Sequence, residues 1–334
     1  MRRREPEATA HCGGSTRSVG VSVKRFPINR CCPLSGEPHS RVLTYLPATV
    51  VGAANPTYRP NFADILGISP EDEFPIVESP SGFVFSGWLP PDDFLRRVYE
   101  DVIDHSRTIT ETVEYRRALL ELGGTFLQTV ERHFPTSARP LRLLDFGCGY
   151  GALTRMLAGR DIQSFGYEPS AERNVRASRG GFEVLGSLDK VADVGPFDLF
   201  ICTEVLEHVP DPREVLRFLR KHARPGALLA ITVPQCAPAF IASCIATFLR
   251  DRLLPTVINP WEHLNYFSAE SLRRLLAEES FKVINDFGRA KPAYEASTRI
   301  GDATSLKSRV RNGLRLMKRA LATAQSTELI CETA

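Results

Sequence analysis

Leu143-Leu144-Asp145-Phe146-Gly147-Cys148-Gly149-Tyr150-Gly151 is an apolar run that ends in an acid and passes into three glycines at alternate positions. Such a run, followed by glycines and then by a helical pattern, predicts a strand, a tight loop and a helix. Glycine lacks Cβ and tolerates positive φ, so the loop lets backbone approach a ligand closely. Taken alone, it is also what a plain strand-to-helix turn contains. Outward from it, from Pro140 onward, apolar runs alternate with helical stretches, the pattern of βαβ units and a mostly parallel sheet. Strands are expected at Leu141–Phe146, Gln163–Tyr167, Phe182–Leu185, Phe197–Cys202, Ala227–Val233 and Phe281–Phe287. Helices are expected at Gly151–Leu157, Ala171–Ala177, Pro212–His222 and Ala269–Glu278. The fold class is α/β, a doubly wound, mostly parallel sheet with helices on both faces.

Two further features turn the glycine loop into a candidate ligand site. Asp145 ends the strand, and the spacing Gly-x-Gly-x-Gly departs from the Gly-x-Gly-x-x-Gly of dinucleotide binders. Glu168 ends the next strand, about twenty residues on, where a carboxylate can accept both hydroxyls of a ribose. Leu144 to Gly151, together with Gly166-Tyr167-Glu168-Pro169, resembles the first two motifs of class I S-adenosylmethionine-dependent methyltransferases. The resemblance covers Leu141 to Asp286, roughly half the chain, and implies their seven-stranded Rossmann-like fold. It implies that Gly147, Gly149 and Gly151 pass under the methionine and ribose, that Asp145 helps to hold the methionine amino group, and that Glu168 grips the ribose. Cys148 and Thr203 join this cofactor set, and Ser187, in Gly186-Ser187-Leu188, stands where the family places a polar residue beside adenine.

Ligands of open parallel sheets bind beyond the carboxyl ends of the strands. The fourth strand runs directly into Thr203-Glu204-Val205-Leu206-Glu207-His208-Val209-Pro210, which places that polar cluster at the crevice. It resembles the Glu-Val-Leu-Glu-His-Val segment of many small-molecule methyltransferases, including the ubiquinone-pathway O-methyltransferases. Trp261-Glu262-His263-Leu264-Asn265-Tyr266-Phe267 resembles a Glu-His-x-Asn-Tyr-Phe segment of the same group. A neutral hydroxyl is a poor nucleophile and needs a base or a metal to activate it. His208, His263 and Glu204 are therefore the catalytic candidates, and each histidine has the plain alternative of ordering a loop. The resemblance to ubiquinone and small-RNA O-methyltransferases implies a divalent cation held by Glu204, Glu207, His208 and His263; without one, either histidine remains a general base.

The chain carries 42 basic and 39 acidic residues, a net charge of +3, too small to argue for nucleic acid. Eight scattered cysteines form no disulfide framework. The division expected is a disordered tail over 1–20, a small β-rich module over 21–90, connecting helices over 91–138, the methyltransferase unit over 139–300, and a basic amphipathic helix and tail over 301–334. Within the module, Cys31-Cys32-Pro33-Leu34-Ser35-Gly36 resembles the Cys-Pro-x-Cys-Gly knuckle of a zinc-ribbon module found in some sugar C-methyltransferases. That likeness puts ligand positions at Cys32, Ser35, Glu78 and Ser81. Structural zinc takes Cys or His, so a degenerate module without zinc is expected. The uncharged stretch from Pro225 to Leu249 reads as a buried strand followed by an apolar helix, and the absence of a secretory signal points to the cytoplasm. The basic tail suggests peripheral membrane contact. The expected reaction is methyl transfer to a small-molecule acceptor such as a sugar, a glycan intermediate or a quinone-like hydroxyl. The alternatives are RNA 2′-O-methylation and a cofactor-binding scaffold without catalysis.

Overall fold

The structure, a computed structural model, describes residues 23–107, 113–135, 139–158, 161–286 and 326–333. Its first part comprises β1 (Arg41–Pro47), α1 (Ala48–Ala54), α2 (Phe62–Leu66), β2 (Glu73–Glu78), β3 (Val84–Ser86), α3 (Asp92–Arg97) and α4 (Val113–His133). The alternating part follows: β4 (Leu141–Phe146), α5 (Ala152–Leu157), β5 (Ile162–Tyr167), α6 (Ala171–Ala177), β6 (Glu183–Leu185), α7 (Leu188–Val194), β7 (Phe197–Thr203), α8 (Pro212–Lys221) and β8 (Ala223–Pro234). Then come α9 (Pro238–Asp251), β9 (Asn265–Tyr266), α10 (Ala269–Glu278), β10 (Phe281–Asp286) and β11 (Ser326–Thr333).

Seven strands form the main sheet in the order β10-β11-β8-β7-β4-β5-β6. The pairs from β8 through β7, β4 and β5 to β6 are parallel, and β11 is antiparallel to β8 and β10. β4 lies between β5 and β7, so the strand order reverses there and opens the crevice at the carboxyl ends of these strands. Phe197 to Cys202 are all buried, as expected of a central strand covered on both faces. Helix entries follow from local chemistry. Asp211 caps α8 by accepting from Arg213 N at 2.7 Å and Glu214 N at 3.3 Å, with Pro212 at the first helical position. Ser268 and Ser271 form a reciprocal capping box at α10.

A second sheet, β1-β2-β3-β9, is antiparallel and draws its last strand from beyond α9. Phe26, Phe74, Trp88 and Phe94 pack in one cluster with Ile241, Cys244, Phe248, Trp261 and Tyr266. The module expected over 21–90 thus shares its core with residues of the segment 236–266, and α9 packs on that core rather than on the main sheet. Of the positions named for zinc ligands, Cys32 is buried among Leu34, Val77 and Phe85, Glu78 pairs with Arg41 at 2.6 Å, and Ser81 meets Ser79 at 3.0 Å.

Other differences have physical causes. The first of the connecting helices expected over 91–138 stops at Arg97 and continues as a π-helical turn, Val98–Val102. The wider turn buries Val98 and Val102 while Tyr99 reaches His208. β11 replaces part of the tail expected over 301–334, because Leu329, Ile330 and Cys331 are fully buried between β8 and β10. The amphipathic helix expected around residues 305–321, the membrane contact ascribed to it, and the tail over 1–20 lie outside the described residues. Among the described residues no helix is long and apolar enough to cross a membrane.

Trp261 is fully buried and its ring lies 6.0 Å from that of Tyr58 and 5.2 Å from that of Phe74. Trp261→Ala is expected to cost about 3–5 kcal/mol of stability, read from the urea unfolding midpoint. A loss below about 1 kcal/mol would mean that the two segments do not share a core.

Candidate active site

The glycine loop leaves β4 at Asp145. Gly147 has φ +77° and a Cβ there would meet Val205 Cγ2 at 2.5 Å, so the loop packs on the β7 loop as only glycine allows. Gly149 has φ +54°, yet nothing lies within 4 Å of where its Cβ would be. The loop is thus bare at its midpoint. Asp145 is buried; Thr154 donates to its Oδ2, and Oδ1 has no partner among the described residues. Burial pushes its carboxyl up to about 7. Glu168 accepts from Gly149 N at 3.0 Å and Ser170 N at 2.8 Å, and burial raises its pKa. Cys148 is buried with its Sγ against Gly166, and Ser187 caps α7 by accepting from Lys190 N. Thr203 ends β7 at the crevice, half-buried.

Past Val205, on which the glycine loop packs, Glu207, His208 and His263 each bring one ligand atom within 4.8 Å of the others. His208 Nδ1 lies 2.8 Å from the Glu262 carbonyl, and His263 Nδ1 lies 2.8 Å from the Val257 carbonyl. A carbonyl only accepts, so both Nδ1 atoms carry the proton and both Nε2 atoms keep a lone pair. Burial holds both imidazoles neutral, His208 well below its usual range and His263 down to about 4. His208 Nε2 is 3.7 Å from Glu207 Oε1. Glu207 is buried, and its carboxyl lies against that of Glu204 rather than against a side-chain N–H or hydroxyl among the described residues. Burial and then the neighbouring Glu204 carboxyl raise its pKa.

Glu204 neighbours Glu207 but is not among the three residues whose ligand atoms lie within 4.8 Å of one another. It occupies the left-handed region at φ +53°, with its carboxyl accepting from Thr232 Oγ1 at 2.9 Å. The structure therefore gathers three of the four residues named for the cation.

A family profile described as "Methyltransferase domain" matches residues 113–285, more than half of the chain. The chain belongs to the class I S-adenosylmethionine-dependent methyltransferases. Among relatives of this methyltransferase, the ubiquinone biosynthesis O-methyltransferase of Caulobacter sp. (strain K31) is 32% identical over 160 residues, which are 44% of this chain and 62% of that protein. The protein of the same description from Xylella fastidiosa (strain 9a5c) is 29% identical over 150 residues, 42% of this chain and 60% of that one. The chain thus spans about 60% of the length of the curated relatives it matches. The structure of the plantazolicin methyltransferase BpumL in complex with SAH aligns with a TM-score of 0.47 at 13% identity, covering 72% of this chain and 94% of that one.

The methyltransferase also brings in residues that were not singled out from the sequence. The Tyr99 hydroxyl lies 3.0 Å from His208 Nδ1. Glu262 accepts on one oxygen from Tyr58, from Asn55 at 3.0 Å and from Asn259 at 2.9 Å. Tyr150 of the glycine loop meets His105 Nδ1 at 2.7 Å, and His105 Nε2 donates to the Tyr99 carbonyl at 2.9 Å. Arg173 stacks over Tyr99 at 5.5 Å and Tyr150 at 5.9 Å. Glu262 sits beside His263 and was within reach of motif reading; Tyr99 and Tyr58 carry no local signal.

His263 links this geometry to acid stability. An imidazole in the unfolded chain takes up a proton near pH 6.5, and in the folded methyltransferase only near pH 4. Between these values the unfolded form binds more protons, so stability falls as pH drops through the window. The unfolding free energy of wild type relative to His263→Gln should therefore decline from pH 6.5 to pH 4 and level off outside it. A difference that does not change with pH would show that His263 is solvated.

Proposed function

We propose that the chain transfers the methyl group of S-adenosylmethionine to a hydroxyl of a small-molecule acceptor, beside a divalent cation held by Glu207, His208 and His263. The observation that carries this reading is the cluster itself: one buried carboxyl and two neutral imidazoles, each with one ligand atom within 4.8 Å of the others, on and beside the loop against which the glycine loop packs at Val205. The curated relatives named as ubiquinone biosynthesis O-methyltransferases support an oxygen acceptor of quinone-like or related small-molecule type.

The residues present fit the cofactor. Asp145 Oδ1, buried and unpartnered among the described residues, suits the methionine ammonium, Glu168 suits the ribose hydroxyls, and the open space at Gly149 suits backbone approach to the ligand. When bound, the cofactor supplies an electrophilic methyl on a sulfonium. Cys148 packs the loop against β5, and Thr203 and Ser187 complete the crevice edge. The chain's main task is orientation, since a near-attack geometry contributes several kcal/mol to such a displacement, about 7–11 in favourable cases. A cation at Glu207, His208 and His263 would supply Lewis acidity that lowers the pKa of the acceptor hydroxyl. Glu262 and Tyr99 hold the His208 ring in place for it, as outer partners of metal-bound histidines do.

Calorimetry with S-adenosylhomocysteine tests the cofactor half. Glu168→Ala should lose about 1.5–3 kcal/mol of binding, roughly ten- to hundredfold, and Gly149→Arg should abolish it. Unchanged affinity in both would remove the assignment. Methyl transfer from labelled cofactor to catechols, quinol precursors and sugar nucleotides tests the other half. Magnesium, manganese or zinc should stimulate it, and His263→Gln should remove the stimulation. Full activity after exhaustive chelation would rule the cation out and leave the histidines as bases.

A further inference from the structure

Arg30 precedes β1 and is remote in sequence from the polar loops, yet its guanidinium is spent on them. Nη1 donates to the Leu264 carbonyl at 2.9 Å, and Nη2 donates to the Pro210 carbonyl at 2.6 Å and to Asn265 Oδ1 at 2.7 Å. Pro210 lies two residues past His208, and Leu264 directly follows His263. The same loops are stapled from inside. Leu264 N and Asn265 N both donate to the Glu207 carbonyl, at 2.6 Å and 3.1 Å, and Asn265 Nδ2 donates to the Leu206 and Val209 carbonyls at 2.7 Å and 2.8 Å. Asn265 thus reads the His208 loop, and Arg30 holds Asn265, Leu264 and Pro210 together from outside.

No salt bridge to Arg30 is formed among the described residues, and burial pulls its pKa down to about 10. A buried guanidinium costs stability unless its donors are met, and here neutral oxygens of the two loops meet them. A planar fork is rigid, so it fixes the separation of the oxygens that it binds. Among the described residues its hydrogen bonds go to these two loops and none goes to the glycine loop.

We propose that Arg30 is a positioning residue: it clamps the Glu207–His208 loop against the His263–Asn265 segment and so sets the spacing of the three side chains that hold the cation. This rests on the cation reading given above. It also assigns a task to the Ile28–Gly36 segment, whose resemblance is to a metal knuckle lacking most of its ligands.

The test uses the full chain, manganese as the probe, and calorimetry of manganese and S-adenosylhomocysteine in parallel. Arg30→Met should weaken manganese binding at least about tenfold, as loss of outer partners does, and leave S-adenosylhomocysteine affinity unchanged within about twofold. Arg30→Lys, which keeps the charge without the fork, should fall between. Arg213→Met is the control for mere loosening, because the Arg213 side chain ties the Leu34 carbonyl to Glu278 and Glu279 and makes no hydrogen bond to either loop. It should lower the melting temperature and leave manganese binding intact. Wild-type manganese affinity in Arg30→Met would overturn the proposal, as would equal losses of both ligands in Arg30→Met and Arg213→Met. If wild type binds no manganese, the cation reading fails, and the clamp is read from imidazole nitrogen signals instead. There His208 and His263 should each show one Nδ1–H tautomer in wild type and mixed or shifted signals in Arg30→Met, and an unchanged spectrum would overturn the clamp.

Discussion

The backbone carbonyl of Glu207 accepts from two consecutive N–H groups, those of Leu264 and Asn265, and on that junction the two halves of the molecule meet. On one side the junction belongs to the loop that leaves β7 of the main sheet. On the other it belongs to β9, whose ladder with β3 makes it part of the small sheet. Such hydrogen bonds are worth about 0.5–1.5 kcal/mol each in net terms, so they do not hold the halves together by themselves. The apolar clusters do that: Cys32, Val77, Phe83 and Phe85 join the main core, and Trp261 and Tyr266 join the small one. Burial supplies the stability, and the paired N–H groups supply the direction. A side chain placed on this junction inherits its position from both sheets, and Glu207, His208 and His263 are placed there.

This arrangement has a cost that marks the site. Glu207 is a buried carboxyl whose neighbour is another carboxyl, that of Glu204, and Asp145 has an oxygen without a partner among the described residues. Burying polar groups without compensation costs on the order of 1–3 kcal/mol apiece in mutational series. Glu204 adds a left-handed backbone conformation that a side chain rarely adopts. Glu204, Glu207 and Asp145 stand together at the carboxyl ends of β4 and β7, where a ligand would meet their demand, although buried polar atoms without a partner among the described residues also occur elsewhere, at Ser164, Trp261, Tyr266 and Thr327.

What the sequence disclosed depends on how far apart in the chain the determinants lie. The glycine loop, Glu168, the strands of the parallel sheet and the ends of α6 and α10 are written in short-range patterns, and each was legible. Glu207, His208 and His263 were legible as polar residues after apolar runs, as was Glu204 beside Glu207, although spacing cannot show that the Glu204 carboxyl also accepts from Thr232. Tyr99 meets His208 across 109 residues and Arg30 meets Leu264 across 234, and nothing in either neighbourhood announces the partner. β2 was missed because Pro75 interrupts its run; its register places Pro75 opposite Tyr45, and the ladder continues around it. β11 escaped because Leu329-Ile330-Cys331 is a short apolar run at the end of a polar tail, and its burial depends on a gap between β8 and β10 that only the assembled sheet provides.

Two roles compete for the histidines, general base and cation ligand, and the hydrogen bonds separate them. A base is effective when its pKa lies near the working pH, which the His263 imidazole, held down to about 4, does not satisfy. A metal ligand must be free of its proton, and the same burial that spoils the base removes the competing proton. Each ring also donates Nδ1–H to a backbone carbonyl, which fixes its tautomer and leaves the Nε2 lone pair available to an ion. The ring centroids are 4.8 Å apart at an interplanar angle of 73°, close enough to share one ion and unable to relay a proton through their carbonyl-bound Nδ1 atoms. With Glu207 as the third donor, two imidazole nitrogens and a carboxylate favour a borderline transition ion over calcium, which prefers oxygen donors alone. The burial of the histidines is thus a defect for a base and an advantage for a ligand, which is why the cation reading stands first.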